Sequence, residues 1–239
     1  MMHRTPRWSI VLVAAVLGVA GCAATVSGDP QAGSDRGPLS WGPDLTGAQL
    51  ATVLLDVAQV DEIVGSTEMV AVKRYDAMPN DAGASYSDPG CAGAVFNTVE
   101  SGYRDSHYVA ARGLELSEPD EHFQHYVDQG VVLFGSGKEA RTFLATSRGV
   151  WGRCVGKHVT YTPLAGRPST WTIRTPVTAH GITAAVVDRE AGDGYTCSHG
   201  ITAKSNVIVD VSVCGYNIAD QGGSIVAALV GAVAGKFPT

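Results

Sequence analysis

The chain has no cluster of lysine or arginine. It carries 17 Lys and Arg against 23 Asp and Glu in 239 residues, a net charge of −6. A nucleic-acid surface needs a basic stripe, so that class of partner is excluded. Long apolar runs are also missing. The most apolar stretch, Ile10 to Ala20, covers about a dozen residues, short of the roughly 20 that cross a bilayer as a helix. No G-x-S-x-G or H-E-x-x-H occurs, and no close cysteine or histidine spacing of a zinc site. Gly135-Ser136-Gly137-Lys138 resembles the end of a P-loop, but Val132 holds the first glycine position and Glu139 the Ser/Thr position. The kinase signatures H-R-D and D-F-G are absent. The expectation is a non-enzyme with no cofactor and no metal.

Apolar residues make up 45% of the chain, enough to build a core, and 29 glycines provide many turns. Residues 1–21 read as an export signal: Arg4 and Arg7, then the apolar run, then Val19-Ala20-Gly21-Cys22. Small residues directly before a cysteine, directly after such a run, resemble a bacterial lipobox. The resemblance implies lipid on Cys22 and cleavage after Gly21. Cleavage removes two cations and no anion, taking the net charge from −6 to −8. Residues 22–43 are rich in Gly, Pro, Ser and Asp, and so read as a flexible tether. Residues 44–239 form the folded domain. The expected location is the outer side of a membrane, held by the lipid anchor.

Once Cys22 is assigned, Cys91, Cys154, Cys197 and Cys214 remain. An even number in an exported chain implies two disulfides, with three possible connectivities. Residues 195–203 and 207–214 both read as strands, the second with Val207, Val209, Val211 and Val213 on one face. A two-residue turn at Ser205-Asn206 sets Lys204 opposite Val207 and Cys197 opposite Cys214. Such a non-hydrogen-bonded pair has Cα atoms about 4.5 Å apart, within a disulfide's reach of about 4.4–6.8 Å. Cys197–Cys214 is therefore favoured, and Cys91–Cys154 follows by elimination.

Along the domain, Asp44 or Thr46 can cap a first short helix. Asp56 can cap a second, with Val57, Val60, Ile63 and Val64 at helical spacing and Gly65 closing it. Residues 69–75 read as a strand and Cys91 to Val99 as a helix. Residues 107–116 and 130–134 follow as strands. Ser136-x-x-Glu139 matches a capping box before a helix that faces Ala140, Phe143, Leu144, Ser147 and Val150 or Trp151 inward. Strands are expected near 156–162, 170–175 and 181–188, then the hairpin. Asp220 can cap a buried last helix over Ser224 to Val233. The class is α+β, with a twisted, largely antiparallel sheet of about five to seven strands.

These features resemble the PknH-like extracellular sensor domain. The residues that carry the likeness are I-V-G (63–65), V-V-L-F (131–134), W-G-R-C (151–154), and Y-T-C (195–197) with V-S-V-C (211–214). The resemblance covers residues 40–238. It implies a twisted antiparallel sheet, helices tied on by the disulfides, and a cleft for an unidentified ligand. In that family the domain forms the outer end of a mycobacterial Ser/Thr kinase and also occurs in free lipoproteins. The expected function is an envelope lipoprotein that binds a lipid, glycan or small metabolite in the cleft. Docking onto another envelope protein is the alternative, and an unrecognised hydrolase the third.

Tyr103, Tyr108, Tyr126 and Trp171 are the candidates for lining that cleft, with burial in the core the competing reading. His122 and His125 could share a helix face and hold a metal, although a polar surface face is favoured. Asp188, Glu190 and Asp193, beside a glycine-rich turn, could bind calcium, although a solvated loop is favoured.

Overall fold

The computed structural model describes residues 43–119, 123–216, 218 and 221–238. The expectations for the signal, Cys22, the tether up to residue 42, His122 and Asp220 lie outside these residues. A 3-10 turn at Gly47–Val53 precedes α1 (Val57–Val64). Then follow β1 (Val70–Tyr75), β2 (Ser85–Tyr86), α2 (Ala92–Val95), α3 (Glu100–Tyr103), β3 (Ala110–Ser117) and β4 (Tyr126–Leu133). The long helix α4 (Gly137–Cys154) leads into β5 (His158–Thr162), β6 (Ser169–Ile173), β7 (Val177–Ala179) and β8 (Ile182–Arg189). β9 (Tyr195–Lys204), β10 (Val207–Tyr216) and α5 (Gly222–Gly235) complete the domain.

The strands form one sheet of ten, in the order β1-β3-β4-β10-β9-β8-β6-β5-β2, with β7 beside β8. Every strand pairing is antiparallel. The expected five to seven strands were too few. Ser85–Tyr86 and Val177–Ala179 extend the sheet with segments too short to leave a period-2 pattern.

Side-chain alternation gives the sheet two faces. On one, Leu114, Leu116, Val127, Val131 and Val207, Val209, Val211 and Val213 pack under α5, α1 and the 3-10 turn. On the other, Val132, Ile173, Val187, Ile201 and Ile208 pack under α2 and α4. Two buried amides fasten the N-terminal elements to the sheet. Gln129 accepts from the Leu55 N–H and donates to the Leu55 carbonyl, both at 2.8 Å. Asn206 does the same for Leu45 at 2.8 and 3.0 Å.

The local signals act as their chemistry dictates. Asp56 caps α1 by accepting from the Gln59 N–H at 2.9 Å, and Gly65 ends it at φ 75°. Ser136 caps α4 through the Glu139 N–H at 3.3 Å. Lys204 faces Val207, and Cys197 faces Cys214. Cys197–Cys214 joins adjacent strands with Cα atoms 4.0 Å apart. Cys91–Cys154 ties the start of α2 to the end of α4.

The helix expected over Cys91 to Val99 stops at Val95. Phe96 turns extended (φ −117°, ψ 135°), and Thr98 takes φ 43°. This break lays residues 96–99 across the sheet.

Candidate functional site

α2 and α4 do not cover all of their face of the sheet. Beside them a cleft of about 450 Å³ opens over β3, β4, β10, β9, β8, β6 and β5. Period-2 alternation sends Glu115, Tyr126, Asp128, Ser212 and Cys214 up into it, while their neighbours go down into the core. The residues at 96–99 form one wall.

Two glycines make the close approach possible. Gly113 and Gly130 are cross-strand partners. A Cβ at Gly113 would lie 1.9 Å from the Tyr75 ring, and one at Gly130 1.9 Å from Thr98 Oγ1. Side chains at either position would lift Tyr75 and residues 97–98 off the sheet. With glycine there, the Tyr75 hydroxyl donates to Asp128 at 2.9 Å. Asn97 donates to the Asp128 carbonyl at 3.1 Å and accepts from the Ser212 hydroxyl at 2.7 Å.

The far half of the cleft is aromatic. Phe96 stands at its centre, with ring centroids 5.1 Å from Tyr161, 5.7 Å from Trp171 and 6.1 Å from Tyr86. Trp171 donates its indole N–H to Ser169 at 2.9 Å, which fixes the ring. The Arg189 guanidinium lies over Trp171 and Tyr195, 6.0 and 5.8 Å from their ring centroids.

The electrostatics single out Asp128. Desolvation, then the neighbouring Glu115, pushes its carboxyl up to about 7. Burial, then the charge of Asp128, raises the Tyr126 hydroxyl far above its ordinary range. Burial also raises Tyr195, to about 12, against the lowering effect of Arg189.

A second cavity, about 710 Å³, lies between α3, residues 104–107 and α4. Its floor carries Asp210, 2% exposed, which is fully engaged. Asp210 binds His199 Nε2 at 2.6 Å, the Tyr103 hydroxyl at 2.7 Å and the Thr98 N–H at 2.9 Å. His199 is itself completely buried and packs its ring on Trp151. This is a brace between β9, β10 and α3.

The four candidate residues therefore fall in different places. Tyr126 and Trp171 line the cleft. Tyr103 lines the second cavity instead; it is 3% exposed, and its hydroxyl belongs to the Asp210 brace. Tyr108, half-buried, donates to Glu100 at 2.8 Å. Asp128, Phe96, Tyr161 and Arg189 went unnoticed in the sequence. Gly113 and Gly130 were the available signal, since interior strand glycines mark a close approach.

His125, Asp188 and Glu190 hold separate partners, and Asp193 sits in a turn at φ 50°. His125 pairs with Glu118 at 3.1 Å. Asp188 pairs with Arg174 at 2.6 Å, and Glu190 binds His158. Among the described residues no group of three or more His, Cys, Asp or Glu is placed to hold a metal ion.

The family model of the PknH-like extracellular domain matches residues 45–236. The chain belongs to that family. Serine/threonine-protein kinase PknH of Mycobacterium tuberculosis is 35% identical over 183 residues, which is 76% of this chain and 29% of the kinase. PknH of Mycobacterium bovis gives 35% over the same length. Serine/threonine-protein kinase PknJ of Mycobacterium tuberculosis is 29% identical over 174 residues, again 29% of the kinase. The chain thus spans about three-tenths of the length of these relatives. The crystal structure of the extracellular domain of PknH from Mycobacterium tuberculosis superposes with a TM-score of 0.73 at 32% identity, covering 80% of this chain and 98% of that one. The similarity is to an extracellular, sensor-like domain and not to a catalytic one. Among the described residues, no helix is long and apolar enough to cross a membrane.

Proposed function

We propose that this chain is a lipid-anchored extracytoplasmic protein whose sensor-like domain binds a small envelope ligand in the cleft over β3–β6. The observation that carries the reading is the pairing of a cleft-floor carboxylate, Asp128, with a clustered aromatic wall at Phe96, Tyr161 and Trp171. Ligand sites combine apolar walls with a few convergent polar groups. Homology to the outer part of a membrane kinase supports exposure outside the cytoplasm.

Hydrogen exchange of the whole chain tests the ligand reading. Adding a mycobacterial envelope extract should slow exchange at residues 96–99, the wall with the least regular backbone. Unchanged exchange there would remove the support. The anchor is tested separately: Cys22→Ala should abolish incorporation of labelled palmitate and release the chain from the membrane. Retained label would place any lipid elsewhere.

Docking onto an envelope protein is the second reading. It would use the sheet edge β1, where Val70 and Val72 are 49% and 58% exposed.

A further inference from the structure

We infer that the ligand of the cleft carries an ammonium group, seated over Asp128. This rests on the reading of the cleft as the ligand site. The neighbouring carboxylates are already partnered: Glu115 pairs with Lys73 at 2.8 Å, and Asp210 is bound by His199 at 2.6 Å and the Tyr103 hydroxyl at 2.7 Å. Asp128 forms no ion pair among the described residues. Its polar contacts are neutral, the Tyr75 hydroxyl and Asn97. Asp81 lines the same space; it hydrogen-bonds Tyr86, and one of its oxygens is buried without a hydrogen-bond partner.

The energetics favour a cation as the missing partner. A ligand entering the cleft strips the remaining water from Asp128. A neutral body leaves that carboxylate short of partners, and an anion adds like-charge repulsion. An ammonium group makes a charge-assisted hydrogen bond there, roughly twice as strong as a neutral one. The aromatic rings then take the rest of the ligand, through stacking or cation–π contact.

Arg189 stands on β8, three strand spacings from Asp128 on β4, or ~14 Å across the sheet.

Titration of Asp128 should show in binding. The groups facing it are Tyr75 from β1, Glu115 from β3, Asp210 from β10 and Tyr126 on its own strand. The two tyrosines are held neutral by burial. Glu115 pairs with Lys73, and Asp210 is bound by His199, Tyr103 and Thr98. Loss of the step in Asp128→Asn assigns it to Asp128.

Calorimetry of the whole chain with three probes of one shape decides the matter: phenethylamine, N-acetylphenethylamine and phenylacetate. Phenethylamine alone should bind. Its affinity should rise about tenfold from pH 6 to pH 8 as Asp128 ionises, while the amine stays charged. Asp128→Asn should lose at least that factor and flatten the pH profile. If that variant fails to fold, the pH series on the unaltered chain decides between the same outcomes. Equal binding of the amine and its acetyl derivative overturns the ammonium assignment and leaves the cleft a ligand site. Absence of amine binding, while an extract component still slows exchange at residues 96–99, does the same. Failure of both amine and extract overturns this inference and the proposed function together.

Discussion

The Tyr75 hydroxyl donates a 2.9 Å hydrogen bond to Asp128, from β1 at the edge of the sheet to a cleft-floor strand. Neutral hydrogen bonds from Tyr75 and Asn97 do not offset desolvation of the carboxylate and the charge of Glu115, and its pKa rises from 3.8 to about 7. A carboxyl raised on folding favours the native state while both states are protonated, below pH 3.8. That contribution is lost as pH rises through about 7. Asp128→Asn should therefore leave stability almost unchanged at pH 4. At pH 8 it should raise stability by about 1–3 kcal/mol, the usual cost of an undercompensated buried polar group. Paired denaturant titrations at the two pH values check this. A constant difference between variant and wild type would contradict it.

Gly130 is required by Thr98. A methyl group at 130 would lie 1.9 Å from Thr98 Oγ1 and 2.8 Å from its Cβ. Gly130→Ala should cost about 1–3 kcal/mol as an overpacking change. It should also disturb the hydrogen bonds of Asn97 and Thr98. Urea melts give the stability, and faster exchange at residues 96–99 reports the displaced wall.

The Asp210–His199 pair is fully buried, at 2% and 0% exposure. Removing His199 leaves Asp210 Oδ1 buried without its donor, while Oδ2 keeps the Tyr103 hydroxyl and the Thr98 N–H. His199→Ala should destabilise by about 3–5 kcal/mol. The loss of ring packing on Trp151 is part of that figure. A change below about 1 kcal/mol, the scale of an exposed pair, would show that the brace contributes little.

The two disulfides differ in the loop they close, with sequence separations of 63 and 17. In the chain-entropy model the long loop is worth about 4 kcal/mol and the short one about 3. The short bridge also joins strands that the β9–β10 ladder already aligns. Replacing Cys91 and Cys154 together by alanine should therefore lower stability more than replacing Cys197 and Cys214. Thermal melts without reductant compare the two. The reverse order would show that strain or residual structure outweighs loop entropy.

The hairpin β9–β10 was legible in the sequence to the residue. Val207, Val209, Val211 and Val213 fix one face, and a two-residue turn leaves a single register, which sets Cys197 against Cys214. α1 was equally legible, because Asp56 and Gly65 mark its ends through local chemistry. β4 was only half visible. Tyr126–Gln129 carries polar residues whose partners come from far along the chain: Asp128 finds Tyr75, and Gln129 finds Leu55. The break at Phe96 was hidden for the same reason, since it is set by Thr98 resting on Gly130. The cleft is assembled from such long-range contacts. Its parts carried little local signal beyond the glycines and the aromatic side chains themselves.

The cleft as the binding site is tested most directly by mass spectrometry of the intact complex. The whole chain is incubated with a mycobacterial envelope extract and compared with two half-buried aromatic variants. Tyr161→Ala removes a ring from the cleft, and Phe143→Ala removes one from the larger cavity beside α4. The wild type and Phe143→Ala should retain a bound small-molecule mass that Tyr161→Ala loses. Retention by Tyr161→Ala with loss from Phe143→Ala would move the site to the other cavity, and no bound mass on any of the three would contradict a ligand-binding role.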